Sequence, residues 1–343
     1  MADTGATAAP DPAGHPGRDP AHRPPAGTGR VLVLHPGALG DVMQAVPALR
    51  ALGGLGPVTF AGQARLAALL HATGVVADAL VFDTLGLEAL FTPDLPAPAR
   101  LHGFATVVSW FGSGDERFAR RLRDLGGRVV VASPTGARGE TGPLWRQLAG
   151  QVAALGAVGA APTSPLPVPA EWSGPAREAL RRAGVAAGPP LLVVHPGAGG
   201  GWKRWSPEGF AEVIARLSRT GAQALVHQGP ADREAADRLA ALVDPSVARL
   251  VEPDLPVLAA ALADAGAYLG GDSGVSQLAA ALGVPGVVLY PQETRERWEP
   301  WNPSALALPM TGDPGQPAEV AARLIGMLAG RPGASRPSSR ASP

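Results

Sequence analysis

The chain has 343 residues, 46% of them hydrophobic, with 29 Lys+Arg against 29 Asp+Glu and so a formal net charge of zero. That length exceeds what one hydrophobic core usually organises, so two domains are expected, and the neutral balance lacks the basic footprint of nucleic-acid binding. There are no cysteines, which excludes disulfides, thiolate metal sites and cysteine nucleophiles, and the seven histidines show no HxH or HExxH spacing, so no protein-held metal is expected.

Residues 1–28 and 331–343 are rich in Pro, Gly, Ala or Ser and read as disordered tails, the first without the apolar stretch of a secretory signal. No run of about 18 apolar residues occurs, so a cytoplasmic protein is expected, at most peripheral at the inner face of the cytoplasmic membrane. Residues 30–35 (RVLVLH) form a continuous apolar run, the mark of a strand buried on both faces of a parallel sheet. A helix follows over 42–52, with Val42, Ala45, Val46 and Leu49 on one face and Gly53-Gly54 ending it. Strands over 57–60, 79–82, 105–109 and 128–132 then alternate with helices over 65–71 and 115–125. The stretch 156–169 turns to Ala, Pro and Gly without charge and is the expected interdomain linker.

A helix over 175–183 leads into a second half that repeats the logic. Strands are expected over 191–195, 222–227, 247–251, 267–270 and 286–290, with helices over 207–220, 231–242, 256–263, 275–282 and 317–329. Alternation of this kind builds right-handed βαβ units, hence an α/β chain of two doubly wound, Rossmann-like domains, 29–160 and 170–330. Both halves open alike, VLVLHPGALGD at 31–41 and LVVHPGAGG at 192–200, with HPGA directly after the first strand. Ligands of such domains lie in the cleft at the strand carboxyl ends.

Three stretches carry candidate chemistry. In the first, HPGAGGGWKRW at 195–205, a buried strand ends in a glycine-rich loop and a helix with Pro207 in its first turn follows. Backbone N–H groups, a helix N-terminus and a cation then meet at one strand end, a ready site for a phosphate or diphosphate. Lys203 is the only lysine in the chain, which suggests a place where a compact ammonium is needed and a guanidinium would not serve. In the second stretch Asp41 follows a glycine turn and opens a helix, either as a helix cap or as a general base. In the third, GGDSGVSQLAAAL at 270–282, Asp-Ser-Gly starts a small-residue helix, either as a plain cap or as an anion site. Trp298 and Trp301 flank Glu299-Pro300 in a loop that either lines a pocket or seals a domain end.

These blocks resemble glycosyltransferase family 9, whose best-known members are the ADP-heptose:lipopolysaccharide heptosyltransferases. The family's "GD" turn before a helix beginning like VLLTTPALRAL is here LGDVMQAVPALRAL, 39–52. Its HPGA…KRWP block is HPGAGGGWKRWSPEGF, 195–210, and its DTGxxHLAAALGxPxVxLFGPT block is DSGVSQLAAALGVPGVVLYPQET, 272–294. The resemblance spans roughly residues 30–330. It implies a GT-B architecture, acceptor on the N-terminal side and nucleotide sugar on the C-terminal side, and an inverting transfer without metal or cofactor.

Residue by residue, the resemblance makes Asp41 the base that deprotonates an acceptor hydroxyl and Lys203 the cation that meets the leaving diphosphate. Gly199, Gly200, Asp272, Ser273, Gly274 and Gln277 fall at the donor-binding turns, Gly229 and Glu234 where ribose or base contacts fall, and Gly40 on the acceptor side. Two departures stand out: Ser273 replaces the family's Thr and Gln277 its His, so the diphosphate loses a group able to become cationic. Arg117, Arg120, Arg121 and Arg123 on one helix are either a solvated face or a grip on an anionic glycan or glycolipid acceptor. The donor expected is a nucleotide diphosphate sugar, such as an ADP-linked heptose. A sugar-nucleotide epimerase or hydrolase, or a non-catalytic nucleotide-binding module, is the alternative.

Overall fold

Val31–Leu34 forms β1, and all four residues are buried, as a strand covered on both faces requires. The computed structural model describes residues 29–136, 139–157 and 163–330; the expected tails and residues 158–162 of the expected linker lie outside the described residues. In the first half β1 is followed by α1 (Leu39–Leu52), β2 (Val58–Gly62), α2 (Ala64–Ala72), β3 (Asp78–Val81), β4 (Thr106–Ser109), α3 (Glu116–Arg123), β5 (Arg128–Val131) and α4 (Leu144–Ala153). The strands pair in parallel in the order β3-β2-β1-β4-β5.

The second half opens with α5 (Ser173–Arg182) and β6 (Leu191–His195). It continues through α6 (Pro207–Ser218), β7 (Gln223–Gln228), α7 (Arg233–Ala240), β8 (Ala248–Val251), α8 (Leu255–Asp264), β9 (Ala267–Gly271), α9 (Gly274–Ala281), β10 (Gly286–Tyr290), α10 (Gln292–Trp298), β11 (Ala305–Pro309) and α11 (Gln316–Ala329). Its sheet is also all parallel, in the order β11-β10-β9-β6-β7-β8. Each half is thus a doubly wound unit, as the alternation of patterns predicts. Sequence reading misses α4, α10 and β11: α4 follows a run of turn residues, and the last two lie in a stretch of Trp and Pro that reads as loop.

α1 starts three residues before the predicted boundary because Ala38 takes the cap position and Asp41 accepts its N–H. The helix carries Pro47 in its interior, a cost of about 3 kcal/mol. Val42, Met43, Val46, Leu49 and Leu52 are all fully buried; at about 1.5–3 kcal/mol for each large side chain, burial outweighs the proline. The carbonyl that Pro47 cannot serve, that of Met43, accepts the indole N–H of Trp301 at 2.8 Å. Trp301 belongs to the second half, so a local defect in one helix becomes a bond between halves.

The strap through 163–169 is held by both halves. Arg50 donates to the carbonyls of Ser164 and Pro165, the Leu166 N–H donates to Ala281 O at 2.8 Å, and Asn302 donates to Thr163 O. One continuous core cluster runs from α1 and α4 through α8 and α9 into β9 and β10. The halves meet chiefly where α1 packs against α9, the two helices that carry Asp41 and follow Asp272.

Candidate active site

The loops after β6 and β9 leave the second sheet on either side of its switch in strand order, where an open α/β sheet forms a crevice at its carboxyl edge. Lys203, in the turn that ends the glycine loop, reaches across this crevice and pairs with Asp272 at 2.9 Å. The carboxylate is nearly buried, 7% exposed, and the ammonium 21% exposed. The ammonium lies 5.4 Å from the Trp202 ring and 5.7 Å from the Trp298 ring, a placement in which both π faces favour positive charge. Trp202 is 65% exposed, so the cation is seated yet reachable. Gly199 and Gly200 stand in open space apart from the Trp202 indole, which leaves the loop backbone accessible to an anion.

The turn beyond Asp272 is a capped helix start. The Ser273 hydroxyl accepts the Ser276 N–H at 3.2 Å, so its side chain serves α9 itself. Thr294, which sequence reading did not single out, donates to Asp272 at 3.2 Å. The Gly229 N–H is held by Asp232, and Glu234 pairs with Arg204 at 3.0 Å on the wall of a cavity of about 480 Å³ that is also lined by Trp205 and Arg238.

On the other side, Gly40 and Gly274 bring the starts of α1 and α9 together. A Cβ on Gly274 would lie 2.9 Å from the Gly40 nitrogen and 3.1 Å from the Leu39 Cβ, so α9 comes this close to α1 only because position 274 is glycine. Asp41, half-buried, follows directly on the residues Leu39 and Gly40 that meet the start of α9. Gly37 is equally constrained, since a Cβ there would meet His35 Cε1 at 2.6 Å and Asp41 Cβ at 2.9 Å. We expect Gly37→Ala to displace Asp41 and, if Asp41 is the general base that the resemblance implies, to cut turnover at least about tenfold. Unchanged steady-state kinetics in that variant would remove Asp41 from the reaction geometry.

Three of the residue groups singled out in the sequence have partners within the fold. Gln277, expected at the donor phosphates, is buried, and its amide is fully occupied. It donates to Trp298 O at 2.6 Å and Tyr290 OH at 3.2 Å and accepts from Gln44 at 2.8 Å. Arg117 and Arg121, read as a solvated face or a grip on an anionic acceptor, hold the 89–95 segment: Arg117 donates to Phe91 O, and Arg121 to the carbonyls of Ala89, Thr92 and Leu95. Trp298 and Trp301, read as one loop, divide their work, with Trp298 beside Lys203 and Trp301 joining the halves.

The repeated HPGA places a buried histidine at the end of each first strand. His35 lies edge-on to Phe60 and Trp110, and neither ring nitrogen has a hydrogen-bond partner among the described residues. Burial lowers its pKa to about 4, against the raising influence of Asp41. His195 faces His227 with Nδ1 to Nδ1 at 3.0 Å, so one ring donates and the other accepts. Burial lowers His227 to about 3, helped by His195, and lowers His195 too.

These are depressed histidines, so the folded form stays neutral while the unfolded chain protonates near 6.5. Their stability contribution is complete above that pH and declines as pH falls towards 4 and 3. At pH 5, His35 and His227 should each cost roughly 2 kcal/mol relative to pH 7. Urea unfolding at the two pH values measures this, and equal stability would show that the imidazoles are not held neutral.

The family model described as glycosyltransferase family 9 (heptosyltransferase) matches residues 146–319, just over half of the chain. Among solved structures, the glycosyl transferase family 9 protein from Veillonella parvula DSM 2008 is 18% identical, with a TM-score of 0.71 over 88% of this chain and 97% of that one. E. coli ADP-heptose lps heptosyltransferase II is 20% identical, with a TM-score of 0.65 over 88% and 98%. E. coli heptosyltransferase WaaC with ADP is 19% identical, with a TM-score of 0.58 over 82% and 94%. No curated protein matches in sequence. At such identities the structural likeness shows the fold, a GT-B pair of Rossmann-like domains.

Proposed function

Since the chain belongs to glycosyltransferase family 9, we propose that it moves a heptose-class sugar from an ADP-linked donor to a hydroxyl of an envelope glycan or glycolipid. Transfer proceeds with inversion and without metal or cofactor. Asp41 accepts the acceptor hydroxyl proton as that oxygen attacks the anomeric carbon. The bond from that carbon to the diphosphate breaks on the opposite face, and its electron pair leaves with the diphosphate oxygen. Lys203 and the N–H groups at the start of α9 meet the charge that develops there, already oriented before the bond breaks.

The observation that carries this reading is the approach of α1 to α9 at Gly40 and Gly274, which brings the helix start that carries Asp41 against the turn that follows Asp272, the partner of Lys203. Three relatives of the same fold bear names that include ADP-heptose, ADP or heptosyltransferase, and this supports the choice of donor. The occupied amide of Gln277 gives no support to a non-catalytic module, because its divergence from histidine has a structural account. Incubation with ADP-heptose and an acceptor glycolipid should release ADP only when acceptor is present, with the acceptor gaining the mass of one heptose. Release of ADP without acceptor would indicate a hydrolase and overturn the reading.

A further inference from the structure

Gln44 is the one strongly polar residue in the run from Val42 to Leu49, and it is fully buried. Its amide donates to Gln277 Oε1 at 2.8 Å, with the Trp298 and Glu299 carbonyls at 3.4 and 3.3 Å, and its oxygen accepts the backbone N–H of Trp145 at 3.1 Å. Gln277 in turn gives its two protons to Trp298 O and Tyr290 OH. The two side chains thus satisfy each other across the halves, with Gln44 on the helix of Asp41 and Gln277 on the helix after Asp272. Both also grip the backbone of Trp298, whose ring lies 5.7 Å from the Lys203 ammonium.

A buried amide left half-satisfied is costly, so a pair in which every proton has an acceptor admits one arrangement of its surroundings. Histidine at position 277 has two ring nitrogens and cannot accept from Gln44 while donating twice. Glutamate would keep the acceptance and lose both donations. The chemistry of glutamine is what this junction uses.

We propose that Gln44 and Gln277 are a pair of positioning residues that fix the approach of the two domains and the seat of Trp298 beside Lys203, so that base and diphosphate cation are held in one geometry. This rests on the proposed transfer reaction but concerns residues that touch neither substrate. The pair belongs to the ternary arrangement; ADP itself meets the second domain.

The test is a double-mutant cycle on the full chain with Gln44→Ala, Gln277→Ala and both, reading kcat, KM, ADP affinity by calorimetry and Tm. The proposal predicts that each single variant lowers kcat at least about tenfold, with ADP affinity changed less than about twofold, and that the double variant is no worse than either single. Gln277→Glu should resemble Gln277→Ala in kcat, since it too lacks the donations.

Tenfold weaker ADP binding in Gln277→Ala would mean direct phosphate contact and overturn the proposal. So would unchanged kcat, or fully additive losses that track Tm. Small-angle scattering with ADP bound gives an arm independent of catalysis: the double variant should show a larger radius of gyration than wild type, and identical profiles overturn the pair's role. If wild type itself transfers no sugar, the reaction assignment fails while the scattering arm still decides the pair.

Discussion

Asp41→Asn is expected to lower kcat by about 10²–10⁴-fold, the usual contribution of a positioned general base, while leaving ADP affinity unchanged. The substitution is clean for a structural reason. One carboxylate oxygen of Asp41 accepts the Ala38 N–H at 3.0 Å and closes the first turn of α1. Asparagine presents a carbonyl oxygen in the same place, so the cap survives and only the capacity to take a proton is lost. Asp41→Ala removes both and should in addition lower stability by about 1 kcal/mol. Comparing the two variants by steady-state kinetics and urea melts separates cap from base. An Asp41→Asn enzyme with full kcat would reduce this residue to its cap.

The second large effect belongs to Lys203. Its ammonium pairs with a carboxylate that is only 7% exposed, and removal leaves the Asp272 charge uncompensated in the crevice where a diphosphate is to bind. Lys203→Ala therefore does two things: it deletes the cation facing the leaving group and exposes the donor to an unpaired anion. A loss in kcat/KM of about 10²–10³-fold is expected, comparable to deleting one preorganised donor at a developing charge, together with a marked loss of ADP affinity. Lys203→Arg should not restore the rate, because a planar, forked guanidinium does not reproduce the compact point charge that pairs with Asp272 at 2.9 Å. Adding Asp272→Asn to Lys203→Ala should recover part of the ADP affinity, since the unpaired charge is then gone. Failure of that recovery would locate the defect elsewhere than in charge.

Much of this architecture is legible in the residues. Continuous apolar runs mark β1, β6 and β10 because strands buried on both faces have no polar side to alternate with. The glycine loop before Lys203, the GD turn before Asp41 and the Asp-Ser-Gly start of α9 are local signals, each written in adjacent positions. What escapes is written across the chain. Nothing near Gln277 announces that its partner lies 233 positions away, and the only clue to Gln44 is a single amide in an apolar helical face.

The same holds for Arg117 and Arg121, which read as a charged surface but bind backbone carbonyls of a segment 26 to 32 residues earlier. It holds again for Trp301, whose partner, the Met43 carbonyl, is set free by a proline four residues further along α1. Local chemistry survives translation into sequence patterns, whereas long-range satisfaction of polar groups does not.

If the crevice between the β6 and β9 loops holds a nucleoside diphosphate on Lys203, calorimetric titration of ADP, UDP and GDP into the wild-type protein and into Lys203→Ala will detect it. One diphosphate, ADP, should bind saturably to wild type, with the affinity largely lost in the variant. Binding of none of the three, or equal binding to both proteins, would contradict the assignment of this crevice.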